Sequence, residues 1–301
     1  MQGLTTKWGA IIGILAGVAL VAAGLGALRT GVRGEPGTED WRAARDLVRQ
    51  GFEAGDGVRL EPWWQRDAVQ VFGESGGPDV EIDSSFPPDP LYVARHRRLW
   101  VVSAPGHGED PPPVEGLTEL RKEPVAGGVT VRRFDAPPSP ILVDLTTRLH
   151  LATVERWWGT GSRRRCTWDS RSHDCGGRRA ENVAIETVEA GGSPRRCIVV
   201  RPSPGTGSVS LAWAHVKLGS SLVLRSGFTA TSARAESVSD ARISALIDGR
   251  EVASGLLSAG EWRWTPSRVA TEPGRVADVA LEVSATANPA PELCLDLLLM
   301  D

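Results

Sequence analysis

Tryptophan is the residue type in this chain best suited to holding a ligand. There are eleven, against one tyrosine and five phenylalanines. An indole offers a large apolar face and one N–H, which suits the apolar face and the hydroxyls of a sugar ring. Trp63-Trp64 and Trp157-Trp158 are adjacent pairs, and Trp262 and Trp264 lie two apart. Neighbours on an extended chain point to opposite faces, so one of Trp63 and Trp64 is expected inside and the other outside. Trp262 and Trp264 share one face, expected to be core. Trp63, Trp64, Trp157 and Trp158 are therefore the glycan-contact candidates. The competing reading is packing, since Trp is highly buried on average.

Other chemistries find less support. Gly159-Thr160-Gly161 and Gly205-Thr206-Gly207 lack the remaining glycines and the strand-to-helix setting of a phosphate loop. No Gly-x-Ser-x-Gly elbow occurs. The five histidines are scattered at 96, 107, 150, 173 and 215. His107 stands near Glu109 and Asp110 in a Pro-rich loop, without convergent ligands, so no metal or cofactor is expected. Asp67/Glu74 and Asp79/Glu81 are carboxylate pairs of the kind a glycosidase uses, but nothing fixes their separation. No catalytic residue is assigned. A net charge of −3 provides no field for nucleic acid. Residues 156–196 carry nine Arg against five acidic residues, densest at Arg163-Arg164-Arg165. That excess suits an anionic lipid or a charged glycan, or simply a solvated loop.

The four cysteines, Cys166, Cys175, Cys197 and Cys294, form no Cys-x-x-Cys and no zinc spacing. Cys166 and Cys175 bracket a polar octapeptide, as in a small disulfide loop. Cys197 opens one apolar strand and Cys294 sits in the last one. Two bridges imply an oxidising compartment; four buried thiols are the alternative.

All four lie on one side of the uncharged run 8–28, which is long enough for a transmembrane helix. Lys7 before it and Arg29 and Arg33 after it leave orientation undecided by charge. A signal peptide cleaved near Ala22 or Gly24 is the competing reading. Gly9, Gly13 and Gly17 repeat every fourth position, a groove for a second helix. The expectation is a single-span membrane protein with its bulk outside the cytoplasm.

The elements that must position these residues follow from periodicity. Thr38 is expected to cap a helix carrying Trp41, Ala44, Val48 and Phe52. Strands are expected at Val58–Leu60, at Leu99–Val102 and through Val129, Val131 and Phe134. Residues 115–123 are expected to form helical turns with Leu117 and Leu120 inward. This alternation predicts a small α/β domain over 38–150 with a short parallel sheet. A disulfide-tied connector is expected over 151–182. From 183 to 301, about eight alternating strands and an Asp248-Gly249 hairpin predict an antiparallel β-sandwich of jelly-roll type. Its first and last strands would lie side by side, which makes a Cys197–Cys294 bridge reasonable. The fold class is α+β.

The order of segments is familiar. DWRAARDLV at 40–48, GDGVRLEPWW at 55–64, RRLWVVSAP at 97–105 and VTVRRF at 129–134 follow one another. This resembles the soluble C-terminal region of multi-spanning membrane glycosyltransferases that use polyprenyl-phosphate sugars, protein mannosyltransferase-like enzymes among them. The second half resembles sandwich domains appended to some of them, through Cys166-Thr167-Trp168-Asp169, Cys197-Ile198 and the hairpin at 247–252. In that family the catalytic carboxylates sit on loops between membrane helices. This chain has one candidate membrane helix, so the resemblance implies no activity. The expected role is non-catalytic: holding an envelope glycan, or a membrane glycosyltransferase, at the membrane. A carbohydrate-active enzyme and a structural remnant of a glycosyltransferase tail are the alternatives.

Overall fold

Trp41, Ala44 and Val48, spaced by three and four, are buried on one side of helix α1 (Thr38–Gly51). The computed structural model describes residues 35–62, 64–73, 82–83, 89–107, 114–159, 161–176, 181–202, 207–235, 238–261, 263–285, 287 and 289–301. The apolar run 8–28, with Gly9, Gly13 and Gly17, lies outside the described residues, as do Trp63 and Trp262. Among the described residues no helix is long and apolar enough to cross a membrane. Gly37, rather than Thr38, precedes the first turn of α1, and its N–H donates to Asp40 Oδ2 at 2.9 Å.

After α1 come β1 (Asp56–Glu61), α2 (Arg66–Gly73), β2 (Ile82–Asp83), α3 (Pro90–Ala94), β3 (Arg98–Ser103), β4 (Thr118–Pro124) and β5 (Thr130–Asp135). They form a five-stranded sheet in the order β2-β1-β3-β5-β4. β1 runs parallel to β2 and β3, while β3-β5-β4 is antiparallel, so the sheet is mixed and not purely parallel. The reason is a hairpin where helical turns were expected. Residues 118–124 pair with β5 through a turn at Ala126–Gly128, and two strands so joined must run antiparallel. Gly127 has φ +64, and a Cβ there would run into the Asp40 carboxylate. Leu117 is buried as expected, but Leu120 is 46% exposed on β4. That strand's charged sequence, TELRKE, suits the edge of a sheet.

The sandwich is built from β6 (Ile141–Asp144), β7 (Thr153–Trp157), β8 (Arg163–Arg165), β9 (Thr167–Trp168), β10 (Ser172–Asp174), β11 (Val183–Ala190), β12 (Ser193–Val200), β13 (Ser208–Lys217), β14 (Ser221–Phe228), the short helix α4 (Ala230–Ala233), β15 (Ala241–Ile247), β16 (Arg250–Leu257), β17 (Thr265–Ala270), β18 (Val276–Ala285) and β19 (Leu293–Met300). One sheet has the order β17-β14-β19-β12-β11-β10-β9, with β6 also on β19. The other has the order β16-β15-β18-β13-β7-β8. The segment expected as a connector, 151–182, thus supplies two strands to each sheet. Its exposed edge strands, RRR above all, carry no apolar alternation by which to recognise them.

Both disulfides form as the sequence suggests, Cys166–Cys175 and Cys197–Cys294. β12 and β19 are antiparallel neighbours, with Val199 opposite Cys294. The run Leu293–Met300 is buried on both faces. Leu293, Leu295, Leu297 and Leu299 join Leu211, Leu281 and Val283 in the core between the sheets. Leu298 and Met300 point the other way, against Val223, Leu91 and Ile141.

Candidate functional site

The two outer faces of the sandwich differ. That of the β14-β19-β12 sheet is covered by the α/β layer through Leu91 of α3. That of the β7-β13-β18-β15 sheet is open. Alternation along each strand turns Val209, Leu211, Ile243, Leu281 and Val283 inward, and their neighbours outward. Register then places the outward residues in rows across five strands. Trp157 stands opposite Ser208, Ser208 opposite Ser284, Ser284 opposite Arg242 and Arg242 opposite Leu256. The next row runs Glu155, Ser210, Glu282, Ser244 and Ser254. Of these ten residues only Ser244 is buried.

Trp157 and Arg242 carry the distinctive groups of the first row, which Leu256 ends. Trp157 is 44% exposed, and the Arg163 guanidinium lies 5.2 Å from its ring centroid. Arg163 also pairs with Glu155. Three strands from Trp157, Arg242 pairs with Glu251 at 3.2 Å, and Ser244 Oγ donates to Glu251 at 2.7 Å. Those hydrogen bonds hold the Glu251 carboxyl below its ordinary pKa. At about 4.8 Å per strand, Trp157 and Arg242 stand about 14 Å apart across a floor of serines. An aromatic face, planar charged pairs and small hydroxyls can stack against and hydrogen-bond a polyhydroxylated ligand.

The residues buried between the α/β layer and the sandwich form an ion lattice. Asp296, in the middle of β19, is 1% exposed. Its carboxylate accepts from Arg225 Nε at 2.7 Å and from Thr146 Oγ1 at 2.6 Å, and it pairs with Arg95. Arg95 also pairs with Asp144 at 3.0 Å. Arg225 reaches Asp89, which Arg195 pairs from the other side at 3.2 Å. Burial alone would raise the Asp296 pKa, but Arg95 and Arg225 hold it below the ordinary value. Burial raises that of Asp144, against the pull of Arg95. Each carboxylate here is occupied by guanidinium groups, so the lattice joins layers and does not resemble an acid–base pair.

The remaining candidates are dispersed. Trp64 is 56% exposed on the α/β layer, edge-on to His107 with centroids 5.7 Å apart. Trp158 is half-buried beside Trp157 in the β7–β8 turn. Trp264 precedes β17 and lies half-buried between Arg195 and Arg225, at 4.8 and 5.6 Å. Among the described candidates the structure thus does not bring Trp64 together with Trp157 and Trp158. Glu74, Asp79, Glu81, Glu109 and Asp110 lie outside the described residues. Among the described residues no group of three His, Cys, Asp or Glu could hold a metal. His96 is buried, and its pKa is pushed down to about 4 by that burial and by Arg95. Sequence reasoning missed the lattice and the open rows, because both depend on partners distant in the chain. A lone carboxylate in LCLDLLLM was the available signal, since a buried charge needs a partner.

No family model and no curated protein matches this chain. Several solved structures align with it. One is the CBM51 of Clostridium perfringens GH95 in complex with methyl-galactose, at 13% identity over 48% of this chain and 91% of that one, with a TM-score of 0.29. Another is the xylan-binding module CBM15, at 13% identity over 49% and 90%, with a TM-score of 0.26. A third is described as a carbohydrate-binding module from the β-sandwich superfamily, at 11% identity over 66% and 82%, with a TM-score of 0.32. At these scores the likeness assigns neither family nor ligand.

Proposed function

We propose that this protein is a non-catalytic carbohydrate-binding module, a jelly-roll-like sandwich braced by a small α/β layer. The observation that carries the reading is the open row from Trp157 through Ser208 and Ser284 to Arg242. Its stacking surface and hydroxyl-directed groups suit a short glycan lying across the strands. The two cystines suit a compartment outside the cytoplasm, with the run 8–28 as tether or export signal. A glycan array on the oxidised chain tests the reading. The expected result is a saturable ligand whose binding weakens in Trp157→Ala. Absence of affinity for any glycan at millimolar concentration refutes it.

A further inference from the structure

A concavity of about 400 Å³ lies between the α/β layer and the sandwich. Phe52 and Asp56 line one side, His96 the α3–β3 turn, and Asp144, Thr147 and Arg196 the sandwich side. Its size and its position between two packed units are those of a small-molecule site.

The charges on its walls are unevenly committed. Asp56 accepts from Arg98 Nε and Nη2, both at 2.8 Å, from Trp100 Nε1 at 2.9 Å and from the Glu53 N–H at 3.0 Å. Asp144 is taken by Arg95 at 3.0 Å and by the N–H groups of Thr146 and Thr147 at 3.0 and 3.3 Å. Arg195, the preceding residue, has Asp89. Arg196 is half-buried, and its side chain has no ion-pair or hydrogen-bond partner among the described residues. The carboxylates of the cleft are thus neutralised from within, and one guanidinium is left uncommitted at its wall. A half-buried guanidinium is best satisfied by a bidentate oxyanion. Phe52 supplies apolar surface on the opposite wall.

We infer that this cleft binds a small anionic molecule through Arg196, its phosphate or carboxylate group on the guanidinium and its apolar part on Phe52. The site is separate from the open sandwich face, so either can fail alone.

Inorganic phosphate and acetate, titrated separately into the full oxidised chain at ionic strength held constant with chloride, test the inference and separate the two anion types. The expected result is saturable binding of at least one ion, weakened at least tenfold in Arg196→Gln and unchanged in Arg171→Gln on an exposed turn. Saturable binding of neither, or equal binding in Arg196→Gln, overturns it. Because Arg196→Gln can also disturb folding, phenylglyoxal modification of the unaltered chain provides a second measurement. Protection of Arg196 by the bound ion supports the site. Equal modification with and without it overturns the site.

Discussion

Arg225 of β14 and Asp296 of β19 stand directly opposite each other in register, and Arg225 Nε donates to Asp296 Oδ2 at 2.7 Å. The pair sits on the face of the sandwich that the α/β layer covers, and Arg95 from that layer completes it. A charge this deeply buried is sustained only by its partners.

Asp296→Ala therefore leaves Arg95 and Arg225 without their shared anion. The expected cost is about 3–5 kcal/mol, as for removing one partner of a buried pair. Urea denaturation measures it. A cost within about 0.5 kcal/mol would mean that the lattice is solvated and does not join the layers.

His96 gives stability a defined pH dependence. Burial pushes its folded pKa down to about 4, below the ordinary imidazole value of 6.5. Below pH 6.5 the unfolded chain binds a proton that the folded chain refuses. Stability should fall as pH drops from 6.5 towards 4, by at most about 3 kcal/mol at 1.36 kcal/mol per pKa unit. Asp296 has a depressed pKa, so its contribution is lost further into acid. His96→Gln should flatten the slope between pH 6.5 and 4 in chemical denaturation series, while the acid loss from Asp296 persists.

The two disulfides should differ in weight. Cys197–Cys294 spans 97 positions and Cys166–Cys175 spans nine. Chain-entropy estimates are about 4.7 kcal/mol for the long loop and about 2.5 for the short one. Paired Cys→Ser variants compared by denaturation should keep that order. A larger loss from the short loop would show that Cys166–Cys175 acts through native packing.

Trp157→Ala should weaken glycan binding by about 2 kcal/mol, as at a binding hot spot, and leave the melting temperature nearly unchanged. Trp64→Ala, on the α/β layer, should leave affinity as it was. Calorimetric titration of both variants with the best array ligand separates the sandwich face from the α/β aromatic.

How much was legible in the sequence depended on whether the signal was local. The α1 stripe of Trp41, Ala44 and Val48 needs only spacing along one helix, and it is buried as read. Leu99–Val102 and Leu293–Met300 read as strands because burial on both faces leaves an uninterrupted apolar run. β4 differs from the helical turns its sequence suggests because TELRKE suits a helix surface as well as a sheet edge, and only pairing with β5 decides. The Arg95–Asp296 contact spans 201 positions, and the Trp157-to-Arg242 row requires three strand registers at once. No local pattern encodes either. Cys197 and Cys294 were an exception, since few partners are available to a cysteine.

β19 is hydrogen-bonded to β14 along one edge and to β12 and then β6 along the other. A ribosome or an export channel delivers this strand after all three of its neighbours. Until residues 293–300 emerge, β14, β12 and β6 have lost their common seat, and unpaired strand edges invite pairing with other chains. Cys197 likewise lacks its native partner until Cys294 arrives, so during that interval its thiolate is open to exchange with another disulfide, forming a mixed disulfide and releasing a thiolate. Closure of the sandwich therefore waits on residues 293–300, and a holding chaperone or a disulfide isomerase would have its largest effect before they emerge.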